Sequence, residues 1–272
     1  MSTWPIDLVD VAARVHERRL VLGSRLTFHA TTASTNDDAK LGARTGAPHG
    51  SAWLADHQSH GRGRQGRAWT SAPGENVLLS LLVRRQVAPT RAPLAALVAG
   101  LAVRHAVAAA LPDRAVRLKW PNDVEVHHEG ARRKLAGILV EAQSRGAMAE
   151  SIVLGIGVNV HTRMFPSELA SRATSVAREG GTPDRAQLVL EVLTYLDEHL
   201  ESVLTHGLGS LRLELERHDA LLGSVVRSEA GSGTGSGIDA SGRLLVRDAA
   251  GEIHAWSSGE VHLEGVPTGA ST

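Results

Sequence analysis

The sequence predicts an α+β protein: a mixed, mainly antiparallel sheet with helices beside it, followed by a small β-barrel. Three observations predict it. Apolar runs of strand length recur between residues 25 and 160, punctuated by turn signals at Pro73-Gly74, Pro121-Asn122-Asp123, Glu129-Gly130 and Ser144-Arg145-Gly146. Strands joined by such short turns pair antiparallel. Helical spacing appears over 93–110, where Leu94, Leu97, Val98, Leu101 and Val107 form a stripe. From Ser224 the texture changes to short runs broken by Gly231 to Gly237, Ser241-Gly242 and Ala250-Gly251, the pattern of four or five barrel strands. A boundary near 222 follows, with a large unit over 1–222, a barrel over 223–265 and a tail over 266–272.

In chain order, residues 5–19 suggest a short helix, with Thr3 as its cap and Pro5 in its first turn. A strand begins near Arg25 to His29. Ser34 or Thr35 caps a helix to about Ala43, with Asp37 and Asp38 in its first turn. Strands follow at about 50–56 and 76–84. Val116 to Trp120 is a strand, and 124–128 with 134–141 form a hairpin around Glu129-Gly130. Another strand spans 151–160. Residues 161–181 are polar and aperiodic, hence a loop. Helices run from about 182 to 206 and from 208 to 221.

Composition narrows the function. The 272 residues carry a formal net charge of +0, so no global field draws the chain to DNA or a membrane. There are no cysteines, which excludes disulfides, thiolate metal sites and cysteine nucleophiles. No signal-peptide pattern opens the chain, and no apolar run reads as a membrane helix of about 18 residues or more. A cytoplasmic protein is expected. Lys and Arg total 29, yet only Lys40, Lys119 and Lys134 are lysines, so 26 are arginines. A lysine retained in such a chain marks a place for a compact point charge with rotatable donors. His127-His128 point to opposite faces of a strand, poor geometry for one ion, and no protein metal site is expected.

The chemistry concentrates in Gly61-Arg62-Gly63-Arg64-Gln65-Gly66-Arg67-Ala68-Trp69. Glycines let backbone N–H groups approach a ligand, arginines offer forked donors for phosphate or carboxylate, and Trp69 offers a stacking face. Gly61, Gly63 and Gly66 satisfy the dinucleotide-binding spacing, but Pro73-Gly74 spoils the required helix and Arg84, Arg85 and Gln86 stand where an acid is needed. A P-loop needs Lys then Ser or Thr where this chain has Arg67-Ala68. The stretch is an anion clamp outside the common nucleotide folds, and its three arginines are expected to repel one another until an anion arrives.

Four further stretches stand out: Ser34-Thr35-Asn36, Lys119-Trp120-Pro121-Asn122-Asp123, Lys134 to Glu141 (Lys-Leu-Ala-Gly-Ile-Leu-Val-Glu) and Gly155-Ile156-Gly157-Val158-Asn159-Val160. In this order, from about residue 27 to 264, the chain resembles biotin protein ligases, the biotin–acetyl-CoA-carboxylase ligases. Gly237-Ile238-Asp239 and Gly242 resemble the family's C-terminal pattern. The family's N-terminal DNA-binding domain has no counterpart in the short stretch before the first strand, so the ligase-only class is expected.

The resemblance implies a class II synthetase-like fold with an SH3-like barrel. It implies that Ser34, Thr35, Gln58, Gly61 and Arg62 hold the biotin ureido ring and carboxylate, with Asn36 among the substrate-binding residues. Lys134 would stand between that carboxylate and the α-phosphate. Arg64, with Gly63, Gly66 and Arg67, would close over the adenylate. Trp69 would lie beside adenine, Gly137 would leave room beside the ligand, Asn122, Asp123 and Asn159 would lie around the nucleotide and the metal or acceptor side, and Lys119 would be a further substrate-binding residue. Lys134, Arg64 and Asp123 form the expected catalytic set. Asp56, His57 and His60 depart from the family pattern.

The implied reaction activates biotin with ATP and Mg²⁺ to biotinyl-5'-AMP, then passes biotin to a lysine of a biotin carboxyl carrier domain of an acyl-CoA carboxylase. No DNA or membrane partner is implied, and both monomer and homodimer fit. Both first-step reactants are anions, so the barrier is largely repulsion and positioning, which arginines, a lysine and backbone N–H groups address. Two other readings fit less well: a lipoate or octanoyl ligase-type acyltransferase, whose signatures differ, and a non-enzymatic biotin sensor or DNA-binding regulator, at odds with zero net charge.

Overall fold

The computed structural model describes residues 4–145 and 147–263. Two faces of one sheet explain the chain's organisation. The sheet has seven strands: β1 Arg25–Thr32, β2 Ser51–Gln58, β3 Asn76–Val83, β4 Ala115–Lys119, β5 Asp123–His128, β6 Ala131–Arg145 and β7 Met148–Asn159. Their spatial order is β1-β2-β3-β7-β6-β5-β4. The β1–β2 pair is parallel and the other pairs are antiparallel.

Side-chain alternation divides the core. Leu79, Leu81, Leu154, Ile156 and Val158 join the main cluster with helices α3 (Leu94–Ala108) and α4 (Arg185–His206). Leu82 and Val153 join Ala39, Ala43 and Trp53 in a smaller cluster beneath α2 (Thr35–Arg44). Helix α3 is apolar nearly all round, as a helix buried on all sides must be. The stretch Pro89–Ala108 is long and apolar enough by composition to cross a membrane, which corrects the expectation that no run qualifies. Here it is the core helix between sheet and α4.

Several boundaries differ from expectation. Helix α1 spans only Val11–Glu17, because Leu8 N–H to Pro5 O and Val11 N–H to Leu8 O form separate turns before it. Thr3 lies outside the described residues, as does the tail over 266–272. Ser34 takes the N-cap position of α2 with extended backbone, but its side chain makes no capping bond. Helix 208–221 divides into a 3₁₀ turn, Leu208–Leu211, and α5 Arg212–His218. It stops because Asp219 is extended and bridges in parallel to Leu118 of β4. The Glu129-Gly130 turn is as expected, with positive φ at both residues (49° and 78°), the hairpin geometry that suits strand twist.

One buried ion cluster fixes the N-terminal segment and α4 to the sheet. Arg185 is 3% exposed. It donates to both carboxylate oxygens of Asp7 (2.6 and 2.8 Å), to Asp56 Oδ1 at 2.8 Å and to Asn76 O at 3.3 Å. Four acceptors for one guanidinium offset its desolvation.

The C-terminal part is an antiparallel, barrel-like sheet of β8 Val225–Ser228, β9 Gly231–Ile238, β10 Leu244–Arg247, β11 Ile253–Trp256 and β12 His262–Leu263, ordered β11-β10-β9-β8-β12. Ala220 N–H to Leu118 O (2.7 Å), Arg132 to Ala220 O (3.1 Å) and Trp120 Nε1 to Gly242 O (2.8 Å) tie it to the main sheet.

Asp219 sits in this junction. Burial pushes its carboxyl up to about 6, against the opposing N–H groups of Leu221 and Leu222 and the charge of Arg117, and Oδ2 is buried without a partner. A folded value above the unfolded carboxylate value of about 3.9 means stabilisation that is full below about pH 4 and lost as pH rises through 6. Asp219→Asn keeps an acceptor for Leu221 and removes the charge. It should be more stable than the parent at pH 7.5, by roughly 2–3 kcal/mol at most, with the difference vanishing near pH 4. Chemical denaturation at the two pH values checks this.

Candidate functional site

Three glycines lay the floor of the site. Gly137 of β6 faces Gly157 of β7 across the ladder, and Gly155 stands on the same face two residues along. Their missing side chains are replaced by two others. A Cβ on Gly157 would lie 2.7 Å from Trp69 Cε2, one on Gly137 3.1 Å from Trp69 Cζ3, and one on Gly155 2.1 Å from Asn36 Oδ1. The indole of Trp69 and the amide of Asn36 therefore rest directly on bare strand.

Above this floor opens a cavity of about 1170 Å³, larger than the roughly 300–1,000 Å³ of ordinary ligand sites. It is lined by every predicted site residue except Gly61 and Gly66. Those two shape the loop instead. Gly61 backs onto Trp69 O, where a Cβ would stand at 2.3 Å. Gly66 takes φ 73° beside Gln65 at φ 56° in a 3₁₀ turn, Arg64–Gly66.

Each loop arginine has its own protein partner. Arg62 donates to Asp37 Oδ1 of α2 at 2.6 Å, Arg64 donates to Asn122 Oδ1 at 2.8 Å, and Arg67 pairs with Glu260 in the approach to β12. Their mutual repulsion is thus met by three separate elements. The acid on Arg62 has a shifted proton affinity: burial works against the charged carboxyl of Asp37, but hydrogen bonds from Arg62 and Lys40 outweigh it and hold it below the usual range.

At the polar end, Gln58 Oε1 accepts from Thr35 N–H (2.7 Å) and Thr35 Oγ1 (3.0 Å). Ser80 Oγ lies 2.7 Å from Thr35 Oγ1 and 2.6 Å from Asn36 Oδ1. Ser34, Thr35 and Asn36 are all buried.

At the cationic end, Lys134 Nζ stands 2.7 Å from Asp123 Oδ1, an ion pair by distance that is not aligned as a hydrogen bond. It also lies 5.9 Å from the Trp69 ring centre. A bulge aims it: the β5–β6 ladder pairs Val124 with Ala136 but Glu125 with Lys134, skipping Leu135. That skip brings Lys134 to the face of Gly137, 3.2 Å from where its Cβ would be. Backbone bonds from Lys134 N–H to Arg172 O (2.7 Å) and from Thr174 N–H to Lys134 O (2.9 Å) hold it there. Lys119 Nζ is 3.5 Å from Glu125. Asn159 faces the cavity while donating to Thr174 O at 3.0 Å.

Some lining residues escaped the sequence reading. Glu125 is 6% exposed in β5. Burial opposes its charge, yet His127 and Lys119 hold its carboxyl below the usual range. An acid two residues past Asp123 with alternating strand neighbours was the available signal. His161, Arg163 and Phe165 arrive from the aperiodic loop, and Glu260 and His262 from the C-terminal sheet; no local pattern marks them. Of the residues that depart from the family pattern, Asp56 belongs to the Arg185 cluster, His57 Nδ1 lies 3.0 Å from Ser71 O, and His60 lies 2.9 Å from Ser59 Oγ. None of the three lines the cavity.

A cavity with one uncharged polar end, a small-residue floor and a rim where arginine and lysine outnumber carboxylates suits two anionic small molecules held side by side, the site of a ligase. Residues 29–159 match the biotin/lipoate A/B protein ligase family, and residues 227–263 match the biotin protein ligase C-terminal domain. The chain is 35% identical to the biotin–[acetyl-CoA-carboxylase] ligase of Mycobacterium tuberculosis (strain ATCC 25618 / H37Rv), covering 88% of this chain and 89% of that protein. It is 32% identical to the bifunctional ligase/repressor BirA of Bacillus subtilis (strain 168), over 89% of this chain and 75% of that one. Among solved structures it is similar to the biotin protein ligase from Aquifex aeolicus in complex with biotin and ATP, with a TM-score of 0.73, 30% identity, and coverage of 88% and 98%. The chain belongs to the biotin protein ligase family.

The floor makes a stability prediction. Gly155→Ala forces Asn36 off its partners and should destabilise by roughly 1–3 kcal/mol. Gly209→Ala, with open space around it, should stay within about 0.5 kcal/mol. Urea unfolding of both variants checks it.

Proposed function

We propose that this chain is a biotin protein ligase that activates biotin with ATP to biotinyl-5'-AMP and transfers biotin to a lysine of a biotin carboxyl carrier domain. The observation that carries this is the coincidence of the glycine floor, the Thr35–Gln58 polar end and the Lys134–Arg64 cationic end in one cavity. Family membership and structural likeness to a biotin and ATP complex support it.

The residues divide the work. Ser34, Thr35, Asn36 and Gln58 take the ureido ring, whose N–H and C=O groups need matched partners in a buried site. Gly137 and Gly157 leave room for the Trp69 indole, so that its ring can lie low beside the ligand. Lys134 takes the biotin carboxylate and α-phosphate together, sharing its ammonium with Asp123. The carboxylate oxygen bonds to the α-phosphorus and pyrophosphate leaves. Arg62, Arg64 and Arg67, with the backbone of Gly61, Gly63 and Gly66, cover the mixed anhydride. Trp69, Lys119, Asn122 and Asn159 border the nucleotide. The acceptor amine, having lost a proton, then attacks the acyl carbon and AMP leaves. Asp123 and Asn122 would offer Mg²⁺ carboxylate and amide oxygens of the kind it takes, Asp123 Oδ1 being shared with Lys134 and Asn122 Oδ1 with Arg64; the ion, when bound with ATP, would neutralise phosphate charge. The seven-stranded sheet and the loops around it supply the catalytic walls, and residues 260–263 cover one side. The acceptor is an acyl-CoA carboxylase carrier domain, and the compartment is the cytoplasm, a reading supported by ATP dependence and the absence of cysteine.

Biotin-dependent ATP–pyrophosphate exchange tests the reaction. Exchange with biotin but not lipoate is expected; exchange with lipoate alone would assign the other branch of the family. Lys134→Ala should lower exchange by about a hundredfold or more, the scale of one preorganised charge contact. A folded variant with near-normal exchange would remove Lys134 from the site.

Arg64→Ala should act on retention more than on assembly, because Arg64 lies in the covering loop, where its guanidinium is anchored to Asn122. Exchange should persist while the escaped anhydride labels lysines of a bystander protein. Streptavidin blotting of bovine serum albumin in the reaction reads this, and acceptor labelling without bystander labelling would count against it.

A further inference from the structure

Lys40 is the remaining lysine of an arginine-rich chain, and it lies behind the cavity wall rather than in it. Its Nζ stands 2.8 Å from Glu141 Oε1 and 2.9 Å from Asp37 Oδ1. Glu141 ends the motif that begins at Lys134, and it too lies outside the lining. Alternation along β6 puts it on the face of Gly137, under α2. Its other oxygen, Oε2, accepts from Asn36 Nδ2 at 2.8 Å and lies 3.7 Å from Arg62. One carboxylate therefore meets the floor, the α2 helix and the glycine loop.

A carboxylate only accepts, so Asn36 must turn Nδ2 toward Glu141 and Oδ1 toward Ser80. Ser80 Oγ has a single proton for Thr35 Oγ1 and Asn36 Oδ1, so it cannot by itself choose the orientation of the amide. A free amide could flip; a charged neighbour prevents it. Lys40 keeps that neighbour in place. Burial opposes the Lys40 charge, but its bonds to Glu141 and Asp37 outweigh this and hold the ammonium above the usual lysine range. Lysine suits the position because a compact ammonium reaches two acids on different elements at once.

We propose that Glu141, clamped by Lys40, is a positioning residue that fixes the Asn36 amide in one orientation on the glycine floor and thereby sets recognition of the biotin ureido group. The proposal rests on the biotin reading above. Nδ2 keeps a second proton, and Oδ1 a second lone pair, for a ligand that offers both an acceptor and a donor. The ureido group does so; a dithiolane ring does not. The Glu141–Lys40 pair is thus a specificity device outside the pocket.

Steady-state pyrophosphate exchange on the purified full chain tests it. Parent protein without biotin-dependent exchange overturns the biotin reading and this proposal with it. With an active parent, Glu141→Gln should raise the KM for biotin about tenfold or more, leave the KM for ATP within about twofold and change kcat by less than about threefold. Asn36→Ala should raise the biotin KM as well, and the double variant should be no worse than Asn36→Ala alone, the mark of a residue acting through another. An unchanged biotin KM in Glu141→Gln, or additive effects in the double variant, overturns the proposal while the ligase assignment stands. Should Glu141→Gln not fold, Lys40→Met, at a side chain 21% exposed, removes the ammonium from Glu141 and Asp37 while leaving both carboxylates in place. Its biotin KM should rise severalfold, and Lys40→Arg, which keeps the charge but not the compact ammonium, should fall between parent and Lys40→Met; an unchanged value in Lys40→Met overturns the proposal.

Discussion

The absence of side chains on one strip of two paired strands is the constraint on which the site depends. Gly137, Gly155 and Gly157 lie on one face of β6 and β7, while Leu154, Ile156 and Val158 of the same strand turn into the core with α3 and α4. A strand that alternates glycine with large apolar residues is half foundation and half cavity floor. Glycine weakens a strand interior by entropy and lost packing. That loss is offset because Trp69 and Asn36 fill the strip from above and because both strands are central in a seven-stranded sheet. The cavity is an outcome of where Cβ atoms are missing, rather than of a gap between units.

Much of this was legible. The mainly antiparallel pairing, the turn at Glu129-Gly130, the helix starting near 182 and the change of texture past Ser224 all follow from local signals, because turn residues and apolar periodicity act over a few residues. The position of Lys134 was legible only through family resemblance. Strict alternation puts Lys134 and Gly137, three apart, on opposite faces; the bulge at Leu135 reunites them, and nothing in Leu-Ala-Gly announces a bulge. Helix 208–221 was overrun for a related reason. Asp219 leaves the helix to pair with Leu118, a contact about a hundred residues away along the chain that no window of sequence contains.

Arginine's abundance has a structural account in the loop. A guanidinium is planar and offers several donors, so each of Arg62, Arg64 and Arg67 can hold a protein partner and still present N–H groups to a ligand. The three partners belong to α2, the turn after β4 and the approach to β12. These are exposed or half-exposed contacts, individually worth little. Their use is geometric: the same charges that would repel one another along a glycine-rich loop are drawn toward three different walls of one cavity.

The C-terminal sheet takes part in the site by the same logic. Trp120 follows Lys119 on the chain, and its indole N–H reaches Gly242 O, so the motif that carries Lys119, Asn122 and Asp123 is fixed at its base by the second sheet. Arg132, on the strand that carries Lys134, reaches Ala220 O from the other side, and Arg67 meets Glu260 above. A mixed anhydride survives only where water is excluded. The floor excludes it by close packing of Trp69 on bare strand. The open side has no such packing of its own, and the contacts that span it run from the basic loop to the C-terminal sheet. A cover built from exposed ion pairs rather than buried apolar surface opens at little energetic expense, which suits a site that must admit two anions, hold their product and then admit a lysine side chain of another protein.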